Sequence, residues 1–138
     1  MKLLLLVGLL VAAATTAAGP PSLAGTIRAA KWKQRVLLVA APTASQVDFQ
    51  QQKQLLAATP GGVQERDLLV LDVLHDHLAP ADRQYLQQLQ LKLSGFEVVL
   101  IGKDGVVKER SSRPLAPEAL FGTIDKMPMR RQEMHRRP

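Results

Sequence analysis

The chain has 138 residues, and its 18 Lys or Arg against 12 Asp or Glu give a formal net charge of +6. It contains no cysteine, which excludes thiol redox catalysis and thiolate metal sites within this sequence. A domain of this size without disulfides must be held together by one apolar core.

The N-terminus has the order of a secretory signal peptide. Lys2 supplies a positive charge, residues 3–14 form a short apolar run, and small residues follow Pro20 and Pro21. We predict a signal peptide over residues 1–24 cleaved after Ala24, with Ala18 as the alternative site. The run is shorter than the roughly 20 residues that span a bilayer, so we expect no integral membrane anchor in the mature chain.

The positive charge is concentrated near the C-terminus. Residues 25–125 carry twelve basic and eleven acidic side chains, whereas residues 126–138 carry five basic side chains and one acidic one. A general basic face for nucleic acid is therefore not expected. We predict a leader over residues 25–34, one domain over 35–134, and a frayed basic tail over 135–138.

The first half of the domain alternates strand and helix patterns. Residues 36–40 (VLLVA) form a continuous apolar run, typical of a strand buried on both faces. Thr43 or Ser45 is expected to cap a helix that runs to about Ala58 and ends at Thr59-Pro60-Gly61-Gly62. Residues 67–74 (DLLVLDVL) predict a second buried strand.

The second half ends in a hairpin and a helix. Pro80 opens a helix with an apolar stripe at Tyr85, Leu86, Leu89 and Leu93. Strands over 96–101 and 106–110 flank Asp104-Gly105, a strong hairpin signal. A last helix follows Pro117, and Pro128 is expected to end or kink it.

The resulting order is β-α-β-α-β-β-α, which predicts an α/β fold. Alternating strands and helices indicate two parallel crossover units, and the hairpin adds an antiparallel edge. This is the element order of a thioredoxin-like domain with a central mixed four-stranded sheet flanked by helices.

Three separated segments carry a family resemblance. Residues 65–73 (ERDLLVLDV), 100–115 (LIGKDGVVKERSSRPL) and 120–134 (LFGTIDKMPMRRQEM) resemble the domain-of-unknown-function 4174 family. The family that these segments resemble includes small exported bacterial proteins. It also includes modules of vertebrate coiled-coil-domain-containing and sushi-repeat-containing extracellular-matrix proteins. The most specific pieces are Lys103-Asp104-Gly105, Arg113-Pro114 and residues 127–131 (MPMRR).

The resemblance implies a fold similar to thioredoxins and peroxiredoxins, with no settled activity. In redox-active relatives of that fold the reactive cysteine lies where the first strand meets the first helix, and this chain has Thr43-Ala44-Ser45 there. A serine hydroxyl needs an adjacent base to become a nucleophile. The chain also has Gly95-Phe96 where thioredoxins place a cis-proline. Both differences argue against redox catalysis.

Two candidate sites follow the first two strands. Thr43 and Ser45 precede a helix whose N-terminus favours anions, although helix capping would explain them equally well. His75 and His77 follow the second strand and would share a side in an extended segment, which makes them candidate metal ligands. Three or four ligands are normally required, so an exposed polar loop is the alternative.

Basic residues near the hairpin and the C-terminus form the remaining candidate site. Lys103, Arg113, Arg130 and Arg131 are predicted to bind an anionic ligand, the arginines through their planar donor groups. The alternatives are turn chemistry at Lys103, and either pairing of the two arginines with acidic residues of the domain or their simple solvation. Met127 and Met129 are flexible apolar side chains that suit packing of the chain end onto the domain.

These patterns predict a secreted or periplasmic, cysteine-free binding module that needs no cofactor. Its partner would be a protein or an anionic surface polymer. The alternatives are a degenerate peroxiredoxin-like oxidoreductase and a metal-binding protein that uses His75 and His77.

Overall fold

The computed structural model describes residues 22–136, which form six α-helices and four strands. The predicted apolar run of the signal peptide lies outside these residues. The strands are β1 (Arg35–Ala41), β2 (Leu68–Leu74), β3 (Glu97–Ile101) and β4 (Val107–Ser111). The helices are α1 (Leu23–Ala30), α2 (Val47–Ala57), α3 (Pro60–Glu65), α4 (Pro80–Gln88), α5 (Pro117–Asp125) and α6 (Pro128–Arg136), with a 3₁₀ turn at His75–His77. None of these helices is long and apolar enough to cross a membrane.

The strands form one mixed sheet in the order β2-β1-β3-β4. This confirms the predicted four-stranded sheet flanked by helices. Strand β1 pairs in parallel with β2 and antiparallel with β3, and all seven of its residues are buried. The β3–β4 hairpin turns at Gly102–Gly105, where the Gly105 N–H donates to the Gly102 carbonyl at 2.9 Å. Gly105 has a φ of +79°, a conformation that favours glycine.

The second predicted crossover is wrong in direction, because β3 runs antiparallel to β1. Strand β2 ends with Leu74 level with Ala41, and β3 begins with Glu97 opposite Ala40. The connection through α4 therefore starts and finishes at the same end of the strands, the end where β1 finishes. Helix α4 has nine residues and is only about 13 Å long. The turns that follow it, in which Gln90 has a φ of +60°, carry the chain back to the end of the sheet from which the helix left.

The side chains of β1 alternate between two apolar clusters. Leu37, Val39 and Ala41 face α2 and α5, while Val36, Leu38 and Ala40 face α1 and α4. This alternation follows from the period of two in a strand. Full burial of one such aliphatic side chain stabilises the fold by about 1.5–3 kcal/mol, so the central strand anchors both layers.

The segment expected to be a leader contains most of helix α1, which packs on the domain. Ile27 and Ala30 are buried in the second cluster. The Ser22 hydroxyl accepts a hydrogen bond from the Gly25 N–H at 3.0 Å, and the Leu23 N–H donates to Asp82 at 3.1 Å. Residues 23–30 are thus part of the folded unit, and Ala24, the favoured cleavage position, lies inside the helix.

Four of the helices begin at a proline. Pro60, Pro80, Pro117 and Pro128 each occupy the first residue of a helix, where the missing N–H costs no hydrogen bond. The expectation that Pro60 follows the end of helical structure was incomplete, because α3 starts there. Pro128 likewise starts α6 after α5 has ended, and α6 extends to Arg136, into the segment predicted to be a tail.

A buried glutamine joins α2 to the loop before α5. Gln52 is fully buried, and its Oε1 accepts from the Leu115 N–H at 2.7 Å while its Nε2 donates to the Leu115 carbonyl at 3.1 Å. Both polar ends of the amide are therefore satisfied, as burial requires.

Replacing Gln52 by Glu should lower the free energy of unfolding by about 1–3 kcal/mol, because a carboxylate oxygen would face the Leu115 carbonyl and lose the donor. Urea unfolding followed by circular dichroism measures the change. The exposed Gln50, on the same helix, provides the matched Gln50→Glu control, for which a change within about 0.5 kcal/mol is expected. Equal losses in the two variants would contradict this role of Gln52.

Candidate functional site

The predicted site residues lie at two opposite ends of the sheet. We name these the Ala41 end and the Arg35 end, after the last and first residues of β1. A seven-residue strand separates them by about 20 Å. Thr43, Ser45, His75, His77 and Arg113 are at or beyond the Ala41 end, whereas Lys103, Arg130 and Arg131 belong to the Arg35 end. The structure therefore does not join them into one site.

At the Ala41 end, Thr43 and Ser45 bond to each other and do not cap the helix. Their hydroxyl oxygens are 3.0 Å apart, and Ser45 is exposed. The cap of α2 is Gln46, whose Oε1 accepts from the Phe49 N–H at 2.9 Å. The prediction that Thr43 or Ser45 caps the helix is wrong, because the helix begins later, at Val47, and Gln46 is its cap.

The two histidines point in different directions. They lie in a 3₁₀ turn and not in an extended segment, so His75 is buried with 4% of its surface exposed while His77 is exposed. Among residues 22–136, no group of three or more His, Cys, Asp or Glu side chains is arranged to hold a metal ion. Arg113 is also exposed, beyond the end of β4.

Neither ring nitrogen of the buried His75 imidazole has a hydrogen-bond partner of ordinary geometry within the described chain, although the Leu93 backbone lies near enough to raise the pKa slightly. Burial, together with the nearby Arg83 guanidinium, lowers the pKa of His75 below its ordinary value of 6.5. The folded protein thus resists protonation at this position.

The free energy of unfolding should therefore decrease as the pH falls below about 6.5, because the unfolded chain then binds a proton that the folded chain does not. Thermal unfolding between pH 7.5 and 5 measures this, and His75→Leu should reduce the decrease. The exposed His77 provides the control His77→Leu, which should retain it. An unchanged pH dependence in His75→Leu would contradict the assignment.

At the Arg35 end, Glu133 of α6 binds two buried cations. Its carboxylate accepts from both Arg35 Nη atoms at 3.1 and 3.2 Å and from Lys103 Nζ at 2.6 Å. Arg35 and Lys103 are 1% and 8% exposed. Lys103 also pairs with Asp67 at 2.9 Å. Burial raises the pKa of Glu133, but the hydrogen bonds from Arg35 and Lys103 outweigh this and hold the pKa below its usual range.

A second group of ion pairs fixes the start of α6. Arg130, 1% exposed, donates to Asp125 at 3.0 Å and to Glu65 at 2.9 Å. Arg66 donates to both oxygens of Asp125 at 3.0 and 2.9 Å, and these bonds lower the pKa of that carboxyl. Arg66 also lies 4.2 Å from the centre of the Phe121 ring.

We call these eight side chains the ion network: Arg35, Arg66, Lys103, Arg130, Glu65, Asp67, Asp125 and Glu133. Its four cations and four anions balance, so it presents no excess charge to a ligand. Lys103 and Arg130 are buried and already paired with carboxylates of the protein, whereas a residue that binds an external anion must be exposed and unpaired. The network attaches α6 to β1, α3 and the hairpin turn.

The residues of the C-terminal motif thus divide between packing and solvent. Met127 packs on the first apolar cluster and Arg130 points inward, whereas Arg131 is exposed. Sequence reasoning missed Glu133 as an anchor. The three-residue spacing of Arg130 and Glu133 places them on one face of α6, the side on which Met127 precedes the helix, and this spacing is the signal that indicates the role.

Sequence reasoning also missed Trp32, the most unusual exposed residue at the Arg35 end. Trp32 is 61% exposed and has a φ of +67°, a conformation that is costly for a bulky side chain. The backbone N–H of Trp32 donates to the Lys103 carbonyl at 2.7 Å, and Lys31 Nζ lies 5.5 Å from the centre of the indole ring. Because sparsely populated backbone conformations concentrate at functional sites, Trp32 is a candidate binding residue.

Two exposed lysines flank this tryptophan in the chain. We define the Trp32 surface as Lys31, Trp32 and Lys33, in the loop between α1 and β1. Lys33 is exposed and forms no ion pair with any residue of 22–136, and the same holds for Lys126 and Arg131 at the start of α6. The Arg35 end can therefore bind an anion through exposed cations beside an aromatic ring.

Solved structures similar to this chain share its fold. The reduced 2-Cys peroxiredoxin of Plasmodium vivax superposes with a TM-score of 0.56 at 14% identity, over 76% of this chain and 83% of that one. A structure described as Trgpx in apo form gives a TM-score of 0.50 at 20% identity, over 75% and 88%. The chain thus has the predicted thioredoxin-like fold, and identities this low show nothing further.

Sequence comparisons identify relatives and a family. The sushi repeat-containing protein SRPX2 of Rattus norvegicus is 31% identical over 117 residues, covering 76% of this chain and 25% of that protein. The human sushi repeat-containing protein SRPX is 31% identical over 114 residues, covering 74% and 25%. The chain spans about a quarter of the length of these relatives. The family model described as a domain of unknown function (DUF4174) matches residues 26–133, and the chain belongs to this family.

Proposed function

We propose that this protein is an exported, non-catalytic binding module of the cell envelope or extracellular space. Its ligand is an acidic protein segment or an anionic surface polymer, bound at the Arg35 end. The observation that carries the proposal is the exposed Trp32, held at positive φ between two lysines. An aromatic face and free ammonium groups together suit a ligand that has both negative charge and a flat or apolar surface.

The Ala41 end supports a role without thiol chemistry. The chain has a fold similar to that of a 2-Cys peroxiredoxin but contains no cysteine. Thr43 and Ser45 precede α2, and within residues 22–136 their hydroxyl groups bond only to each other. No base of the described chain is hydrogen-bonded to either hydroxyl, so no residue of 22–136 activates them as nucleophiles.

Export fits the sequence pattern of residues 1–24, and the structure of α1 favours the alternative cleavage position. Cleavage after Ala24 would remove the Ser22 cap and the Leu23–Asp82 hydrogen bond, whereas cleavage after Ala18 leaves α1 whole. We therefore propose cleavage at Ala18. The intact mass of the chain recovered outside the cytoplasm tests this, and a mature chain that begins at Gly25 would contradict it.

Binding can be tested with two defined polyanions, immobilised poly-L-glutamate and dextran sulfate, by biolayer interferometry. Trp32→Ala and the double charge reversal Lys33→Glu/Arg131→Glu should each weaken binding about tenfold, which corresponds to about 1.4 kcal/mol. Binding should also weaken as salt rises from 50 to 300 mM.

Lys92 provides the control for a charge reversal away from this end, because it is an exposed cation beside the start of β3 at the Ala41 end. Lys92→Glu should leave binding almost unchanged. Failure of both polyanions to bind, or equal weakening by Lys92→Glu, would contradict a site at the Arg35 end.

A further inference from the structure

Strand β2 is an edge strand that pairs only with β1 among residues 22–136. Its seven residues, LLVLDVL, include one charged side chain, Asp72, and no proline or lysine. The opposite edge, β4, carries Lys108 and Arg110 and has a register irregularity where it meets β3. Charges and bulges are the devices that keep an edge strand from pairing with another chain, so β4 is protected and β2 is not.

The backbone groups that β2 offers can be assigned from the ladder. The Arg35 N–H donates to the Asp67 carbonyl at 2.8 Å, and the pairing is parallel from Arg35–Leu68 to Ala41–Leu74. In a parallel ladder alternate residues of one strand bond to the same neighbour. Leu69, Leu71 and Val73 therefore bond to β1, and the outer side is formed by the N–H and C=O groups of Leu68, Val70, Asp72 and Leu74.

Apolar surface lies on both sides of this edge. On one face, a groove of about 490 Å³ lies between α2, α3 and β2, and its apolar walls include Leu56, Val63, Leu68 and Val70. On the other face, Leu69 and Leu71 are only partly buried. An added strand would remove both surfaces from water while satisfying the outer backbone groups.

We propose that β2 is a homodimer interface in which the β2 strands of two copies pair antiparallel about a two-fold axis at Leu71. In this register Leu68 lies opposite Leu74 of the second copy, and Val70 lies opposite Asp72. All four outward-facing residues then exchange hydrogen bonds, giving about eight across the interface. The two sheets join into one continuous sheet of twice the width.

Charge and pattern favour a second copy of this chain over a foreign strand. The two-fold axis places each Asp72 opposite the apolar Val70 and never opposite another Asp72. The Asp72 carboxylate is also neutralised within its own copy by Lys53 at 2.8 Å. Every other directly opposed pair in this register is aliphatic on both sides, as a self-complementary interface requires.

Sedimentation equilibrium of the full chain, purified from a host that exports it, tests the proposal over about 5–200 μM. The expected result is a dimer at the upper concentrations. Val70→Pro removes one outward N–H without touching the bonds to β1, and should shift the dissociation constant at least tenfold toward monomer. Val70→Thr is the matched control, because it has a similar shape and keeps the N–H, and should still dimerise.

Thermal unfolding separates a lost interface from a lost fold. At concentrations where both proteins are monomeric, Val70→Pro should unfold close to the wild-type temperature. A wild-type monomer throughout the range would overturn the proposal, as would a Val70→Pro variant that folds and dimerises like the wild type. If Val70→Pro fails to fold, Asp72→Lys serves instead, and unchanged dimerisation of that variant would equally overturn it.

Discussion

Replacing Glu133 by glutamine is expected to lower the free energy of unfolding by about 3–5 kcal/mol, the cost of breaking a buried ion pair from one side. Arg35 would lose both of its carboxylate bonds while only 1% exposed, and Lys103 would lose its shorter one. Because Arg35 lies at the start of the central strand, its unpaired charge could not move into solvent without disturbing β1. Denaturant unfolding followed by circular dichroism measures the loss.

Glu118 is the matched control for this change. It is exposed in the first turn of α5 and forms no ion pair with any residue of the described chain, so Glu118→Gln should cost at most about 1 kcal/mol. A loss in Glu133→Gln no larger than in Glu118→Gln would show that the buried cations are stabilised in another way.

The wild-type protein should also lose this contribution in acid. The folded pKa of Glu133 is below its ordinary value of 4.5, so the contribution is complete above that pH and disappears as the pH falls through the folded value. Asp125 acts in the same direction. Part of this acid dependence should be missing in Glu133→Gln.

Neighbouring arginines in the C-terminal motif should give opposite results. Arg130→Gln is expected to lower the free energy of unfolding by about 1–3 kcal/mol, because it removes a buried guanidinium and its bonds to Asp125 and Glu65. The cost is smaller than for Glu133 because both carboxylates are partly exposed, and Asp125 keeps Arg66. Arg131→Gln should change stability by no more than about 0.5 kcal/mol, since Arg131 is exposed.

Thermal and urea unfolding of the two variants side by side provide the measurement. The paired substitution removes the same charge from adjacent positions of one helix, so net charge and helix propensity are matched. If Arg131→Gln proved as destabilising as Arg130→Gln, the orientation of α6 in the structure would be wrong.

The elements of the fold were predictable where local pattern decides them. The run at residues 36–40 is apolar at every position, and such a run is stable only when both faces are covered, so it indicated the central strand. Asp104-Gly105 indicated the hairpin because its turn needs a positive φ, which Gly105 has.

Features that depend on contacts between segments distant in sequence were not predictable. The direction of β3 depends on the end of the sheet to which the chain between Leu74 and Glu97 returns. A long connection can return to either end at a similar cost in chain entropy. The start of α6 at Pro128 has the same origin. A proline both ends and begins helices, and here tertiary packing of Met127 and Arg130 selects the beginning.

The candidate site shows the same division. Composition and order alone determined that the chain has no thiol chemistry, an α/β fold and a basic C-terminus. Only the tertiary structure decided which basic residues face solvent: Arg130 and Lys103 bind carboxylates from distant segments, whereas Arg131 and Lys33 are exposed and do not. The physical reason is that a charge can be buried only where an opposite charge meets it, and the partners Glu65, Asp67 and Glu133 approach these cations only after folding.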